Sequence, residues 1–169
     1  GPLRRPGPGA DAPQGLRRTL YLVFYSPFEM VDADILTRVS GLEARIRYRF
    51  DDKQLLYDAT VRKGFENEPA NAFVREARRH DIELLANLGD SVIDLLATEH
   101  ILLKHRIELT GELTEMRKSL VCRDRLTLLG RRFHLGAYLT MSEGERLDLG
   151  KSAILGEAVE SLIGAVYLD

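Results

Sequence analysis

Apolar residues recur along most of this chain at offsets of three and four, the spacing that returns to one face of an α-helix. The longest such run covers residues 81–105, with Leu84, Leu85, Leu88, Val92, Leu95 and Leu96, and then Ile101 to Leu103 beyond Glu99. An earlier one is "DADILTRVSGLEARI", with Asp32 or Asp34 as a cap and an end near the Arg45–Arg49 run. "DDKQLLYDATVRKGF" (51–65) carries Asp51 and Asp52 as start signals and Leu55, Leu56 and Ala59 at helical spacing. A turn at Pro69 precedes a basic segment. "TGELTEMRKSLVC" begins with Thr110 as a cap and Glu112 in the first turn. "CRDRLTLLGRRF" and "GEAVESLIGAVYL" complete the set, with 141–152 read as the loop before the last helix. The pattern predicts an all-α domain of six or seven helices. Residues 1–18, rich in Gly, Pro and Arg, are expected to be flexible. Residues 19–41, which include the short apolar stretch "TLYLVFY" (19–25), are expected to pack as an N-terminal extension on a main domain over 42–169.

Composition narrows the classes. At 169 residues, 44% apolar and 30% charged, the chain reads as one soluble globular domain with a real core. No apolar run approaches the roughly 20 residues that span a bilayer, so no membrane role is expected. The single cysteine, Cys122, excludes an internal disulfide. That suits an intracellular setting, the cytoplasm or an organelle interior such as the mitochondrion. Cys122 and four scattered histidines offer no zinc spacing, so a bound metal would have to sit on carboxylates. The formal charge of −2 argues against a general polyanion binder, yet the basic residues are clumped, as in Arg117-Lys118, Arg123-Arg125 and Arg131-Arg132. Such clumps are either solvated helix faces or the lining of a phosphate-binding surface.

The long run contains an oddity, Gly89-Asp90 in its middle. Gly costs roughly 1 kcal/mol relative to Ala inside a helix, and Asp prefers caps and turns. Either Gly89 lets a neighbouring helix approach beside a solvated Asp90, or Asp90 has work to do. On a helix Glu83 and Asp90 share one side, about 10 Å apart along the axis. Glu157 and Glu160, three apart, project together from the last helix. Both pairs sit in apolar surroundings, where desolvation is costly unless something neutralises them. A hard divalent cation does so, Mg²⁺ with Mn²⁺ as a substitute. Pairing with nearby arginines is the alternative.

Three blocks in order, "IELLANLGDSVIDLLATEHIL", "TGELTEMRKSLVCRDRLTLLGRRFHLGAYL" and "AILGEAVESLIGAVYLD", resemble the ribonuclease III catalytic domain over about residues 42–169. The resemblance implies a ribonuclease III-like helical endonuclease domain that dimerises and cleaves double-stranded or structured RNA with Mg²⁺. The product ends would be a 5′-phosphate and a 3′-hydroxyl. It implies Asp90 and Glu160 as direct metal ligands, Glu157 as a ligand or water-positioning base, and Glu83 as a supporting acid. Arg117, Lys118 and Lys151 become candidate phosphate contacts. The chain departs from the pattern at Ala86, where the family usually has Glu, at Glu157, where it usually has Asp, and at Asn87, where an aromatic is common. Compact members of the Mini-III kind also lack that inner Glu. The alternative is a catalytically degenerate subunit that dimerises with a related chain, identical or not, and binds or positions RNA.

Overall fold

The structure, a computed structural model, describes residues 33–150 and 153–169. The expected flexible segment 1–18, the stretch 19–25, Asp32 and Lys151 lie outside the described residues. Among the described residues, nine α-helices and two short 3₁₀ turns make up the order: α1 Ala33–Ile46, α2 Lys53–Asp58, α3 Lys63–Glu66, a 3₁₀ turn Pro69–Asn71, α4 Ala72–Ala77, α5 Ile82–Lys104, α6 Thr110–Leu120, α7 Arg123–Arg132, a 3₁₀ turn Leu135–Ala137, α8 Glu143–Asp148 and α9 Ile154–Leu168. None of the described helices is long and apolar enough to cross a membrane.

The all-α expectation holds, with local corrections. The helix expected over 51–65 starts where Asp52 caps it, its side chain accepting from the Gln54 amide at 3.0 Å. It stops after one and a half turns. The Thr60 hydroxyl donates to the Leu56 and Tyr57 carbonyls, and β-branched Val61 then forms an isolated parallel bridge with Thr140. Thr110 is not a cap: it is the first helical residue of α6, preceded by Leu109, which makes no side-chain capping bond. The loop expected over 141–152 holds a helix, α8, started by a capping box in which Ser142 and Glu145 satisfy each other's amides. Asp34 lies inside α1.

α9 is the central element, buried chiefly against α5 and α7. Leu155, Val159, Leu162 and Ala165 meet Leu85 and Leu126 in one apolar core that also takes in Val39, Leu42 and Phe50. α1 closes on Arg47 in the left-handed region (φ 57°), which lets the chain turn back toward α9. There the Tyr48 hydroxyl and the amides of Asp51 and Asp52 donate to the Asp169 carboxylate at 2.9, 3.0 and 2.8 Å. The start of the fold is thereby tied to the end of α9.

Candidate active site

α5 and α9 touch backbone to backbone. A β-carbon at Gly89 would lie 1.8 Å from the Glu160 carbonyl oxygen, and one at Gly164 would lie 2.1 Å from the Leu85 carbonyl oxygen. Only glycine at both places permits this approach. The crossing brings Asp90, next to Gly89 on α5, into the electrostatic reach of Glu160 on α9. Asp90 is exposed and Glu160 half-buried. Burial pushes the Glu160 carboxyl above its ordinary range, the charges of Asp90 and Glu157 push it further, and Arg123 opposes them. Among the described residues, no hydrogen bond or ion pair reaches the carboxylate of Asp90 or Glu160.

Glu157 is differently placed. Its Oε2 accepts from Arg62 Nη1 at 2.7 Å, and Arg62 Nε donates to Glu145 Oε1 at 3.2 Å. Among the described residues no three His, Cys, Asp or Glu side chains stand ready to hold a metal ion. Asp90 and Glu160 nevertheless have the chemistry a hard cation needs. They are two oxygen donors, mutually repelling, one partly desolvated, with no partner of their own. Glu157 acts on Glu160 by its charge, but its own carboxylate is taken up by Arg62.

The other expected residues lie apart from this group. Glu83 is in the first turn of α5, exposed and ion-paired with Lys63, which also stands 3.4 Å from Asp81. Glu83 is not among the charges that act on Glu160. Ala86 is buried and Asn87 exposed. On α6, Arg117 stands 3.6 Å from Asp94, and the Lys118 ammonium donates to Glu115 at 3.0 Å. The sequence reading passed over Arg62. Its signal is weak, a single basic residue after β-branched Thr60 and Val61, where the helical pattern breaks.

Comparison with known proteins agrees with this architecture. The family profile described as the Ribonuclease III domain matches residues 83–169, just over half of the chain. Ribonuclease 3 of Clostridium tetani is 35% identical over 133 residues, covering 78% of this chain and 54% of that protein. Ribonuclease 3 of Caldanaerobacter subterraneus is 38% identical over 131 residues, covering 76% and 54%. The chain thus spans about half the length of the curated relatives it matches. Among solved structures, the nuclease domain of ribonuclease III from Campylobacter jejuni, described as flexible in the region involved in dimer formation, superposes with a TM-score of 0.65 at 30% identity. The match covers 77% of this chain and 85% of that one. A second structure of the same nuclease domain gives 0.63 at 30% identity, covering 76% and 82%. By its helical order, its α5–α9 crossing and these matches, the chain belongs to the ribonuclease III domain family.

Proposed function

We propose that this chain is an endoribonuclease that hydrolyses phosphodiester bonds in double-stranded or structured RNA. The observation that carries the reading is the approach of Asp90 and Glu160 across the glycine crossing, two acids on separate helices with no hydrogen bond or ion pair among the described residues, beside a third, Glu157. Asp90 and Glu160 would hold Mg²⁺, or Mn²⁺ in its place, with Glu157 as a further ligand or as the base that positions the attacking water. A bound divalent ion there supplies a water of lowered pKa and stabilises charge on the phosphodiester in transit. Glu83, at the start of the same helix, is ion-paired with Lys63 and stays outside this set. Arg117, Lys118 and Lys151 are assigned to the RNA backbone, since A-form duplexes are read by shape and phosphates rather than by base edges.

Leu84, Leu95 and Leu102 are all more than half exposed, at 68, 64 and 55%. They fall on one line of α5, offset by eleven and eighteen residues. An exposed apolar stripe of this kind suits a second chain of the same fold, and we assign it to pairing with an identical or related chain. The free, exposed Cys122 fits an intracellular, reducing setting.

The test is cleavage of a generic RNA duplex with Mg²⁺ or Mn²⁺, alongside the Asp90→Asn variant. Metal-dependent cleavage that disappears in the variant supports the assignment, and full activity in the variant rejects it. A second reading is favoured by Ala86 and by the capture of Glu157: a degenerate subunit that pairs and binds RNA at low salt but cleaves at no metal concentration.

A further inference from the structure

We infer that Arg62 is a positioning residue of the acidic site, an internal cation that holds Glu157 back from a divalent ion and competes with that ion for its carboxylate. The inference rests on the reading of Asp90 and Glu160 as a cation site.

Arg62 is built into this place. Its amide donates to the Thr140 carbonyl at 2.8 Å within the isolated bridge between Val61 and Thr140, and its side chain is only 12% exposed. It is therefore not a surface arginine that happens to fall near an acid. Its guanidinium spans two carboxylates, Glu145 through Nε and Glu157 through Nη1. These partners are unequal. Glu145 Oε2 accepts from the Ser142 amide and hydroxyl at 3.0 and 3.1 Å, so Glu145 is locked into the capping box of α8. A β-carbon on Gly64 would lie 2.2 Å from the same Oε2, so the start of α3 sits directly on that box. The Arg62–Glu145 side of the bridge is thus held from both ends. Among the described residues, Arg62 is the one partner of the Glu157 carboxylate, which is half-buried beside the Asp90–Glu160 pair.

One carboxylate cannot serve a guanidinium and a divalent ion at full strength together. Whatever binding energy Glu157 gives to the ion is reduced by what it gives up to Arg62, and the coupling is reciprocal.

The experiment measures Mn²⁺ binding to the full chain by electron paramagnetic resonance of the free ion, with thermal unfolding to verify that each variant is folded. Arg62→Gln should bind Mn²⁺ on the order of tenfold more tightly than the parent, the size of a typical site-to-site coupling. Arg62→Lys, which keeps the charge, should return the affinity toward the parent value. The gain should vanish in the Arg62→Gln, Glu157→Gln double variant. Should Arg62→Gln not fold, Arg62→Met, which keeps the aliphatic stem and removes the charge, carries the same expectation. Unchanged or weaker binding in folded Arg62→Gln, while binding still depends on Asp90, overturns the role of Arg62 alone. Absence of Asp90-dependent binding in every protein overturns the cation site itself, and the role of Arg62 with it.

Discussion

Gly89 of α5 stands against the carbonyl oxygen of Glu160 in α9, with no room for a β-carbon between them. The same contact that joins the two helices brings Asp90 of one within electrostatic reach of Glu160 of the other. Stability and candidate chemistry therefore meet in a single residue. Gly89→Ala should force the helices apart and cost more than about 2 kcal/mol, the upper range for overpacking because the obstacle is backbone. Gly111 lies in the first turn of α6 with nothing within 4 Å of its would-be β-carbon. Gly111→Ala should therefore be neutral or stabilising by up to about 1 kcal/mol. Urea denaturation of the two variants checks the contrast.

Asp90 is exposed and has no ion-pair partner among the described residues, so its charge does little for the fold. Asp90→Asn should leave stability within about 0.5 kcal/mol of the parent. It should abolish RNA cleavage and also lower the pKa of Glu160, since the Asp90 charge is one of the influences raising it. Carboxyl titration by NMR reads the last effect independently of activity.

Asp58, at the end of α2, is fully buried and accepts from Gln54 Nε2 and from the amides of Arg79 and His80 at 2.7, 3.2 and 2.9 Å. Burial pushes its carboxyl up, and these hydrogen bonds only partly offset that. Its folded pKa thus lies above the unfolded value of about 3.9. Its contribution to stability is fully present below that value and is lost as pH rises through the folded pKa. The stability of the parent relative to Asp58→Asn should fall as the solution is taken from strongly acidic toward neutral. Denaturation curves at a series of pH values measure this, and a difference that stays flat or grows would contradict it.

The Ser142 hydroxyl accepts from the Glu145 amide at 3.3 Å and donates to the Glu145 carboxylate. Ser142→Ala should cost about 1 kcal/mol, the usual value of an N-cap. It should also speed hydrogen exchange at the Glu145 amide ahead of the rest of the domain.

Leu95 sits midway along the exposed stripe of α5. Leu95→Asp should shift the chain toward the monomer in sedimentation equilibrium while the far-ultraviolet circular dichroism keeps its helical amplitude, because the side chain contributes nothing to the core. An unchanged mass would place the pairing surface elsewhere.

The long helix was legible almost to its ends: the expected 81–105 became Ile82–Lys104. Its periodicity is strong and Asp81 caps it. Short helices were harder to read. The "DDKQLLYDATVRKGF" segment carries Leu55, Leu56 and Ala59 at helical spacing, but Thr60 and Val61 favour the bridge to Thr140, a partner roughly eighty positions away. The Ser142–Glu145 capping box of α8 was present in plain letters and went unread, because a six-residue helix shows too few apolar repeats to announce itself.

The sequence by itself determined that the chain is helical and that Glu157 and Glu160 rise together from one helix. These are consequences of a local repeat, which any window of a dozen residues displays. It also placed Gly89 beside Asp90, but not what Gly89 would meet. Only the tertiary structure decided that Gly89 and Gly164 mark one crossing, that Asp90 and Glu160 repel each other across it, and that Glu157 is held by Arg62, 95 positions earlier. Charges interact over a few ångströms of space, and which charges come that close depends on the path of the whole chain.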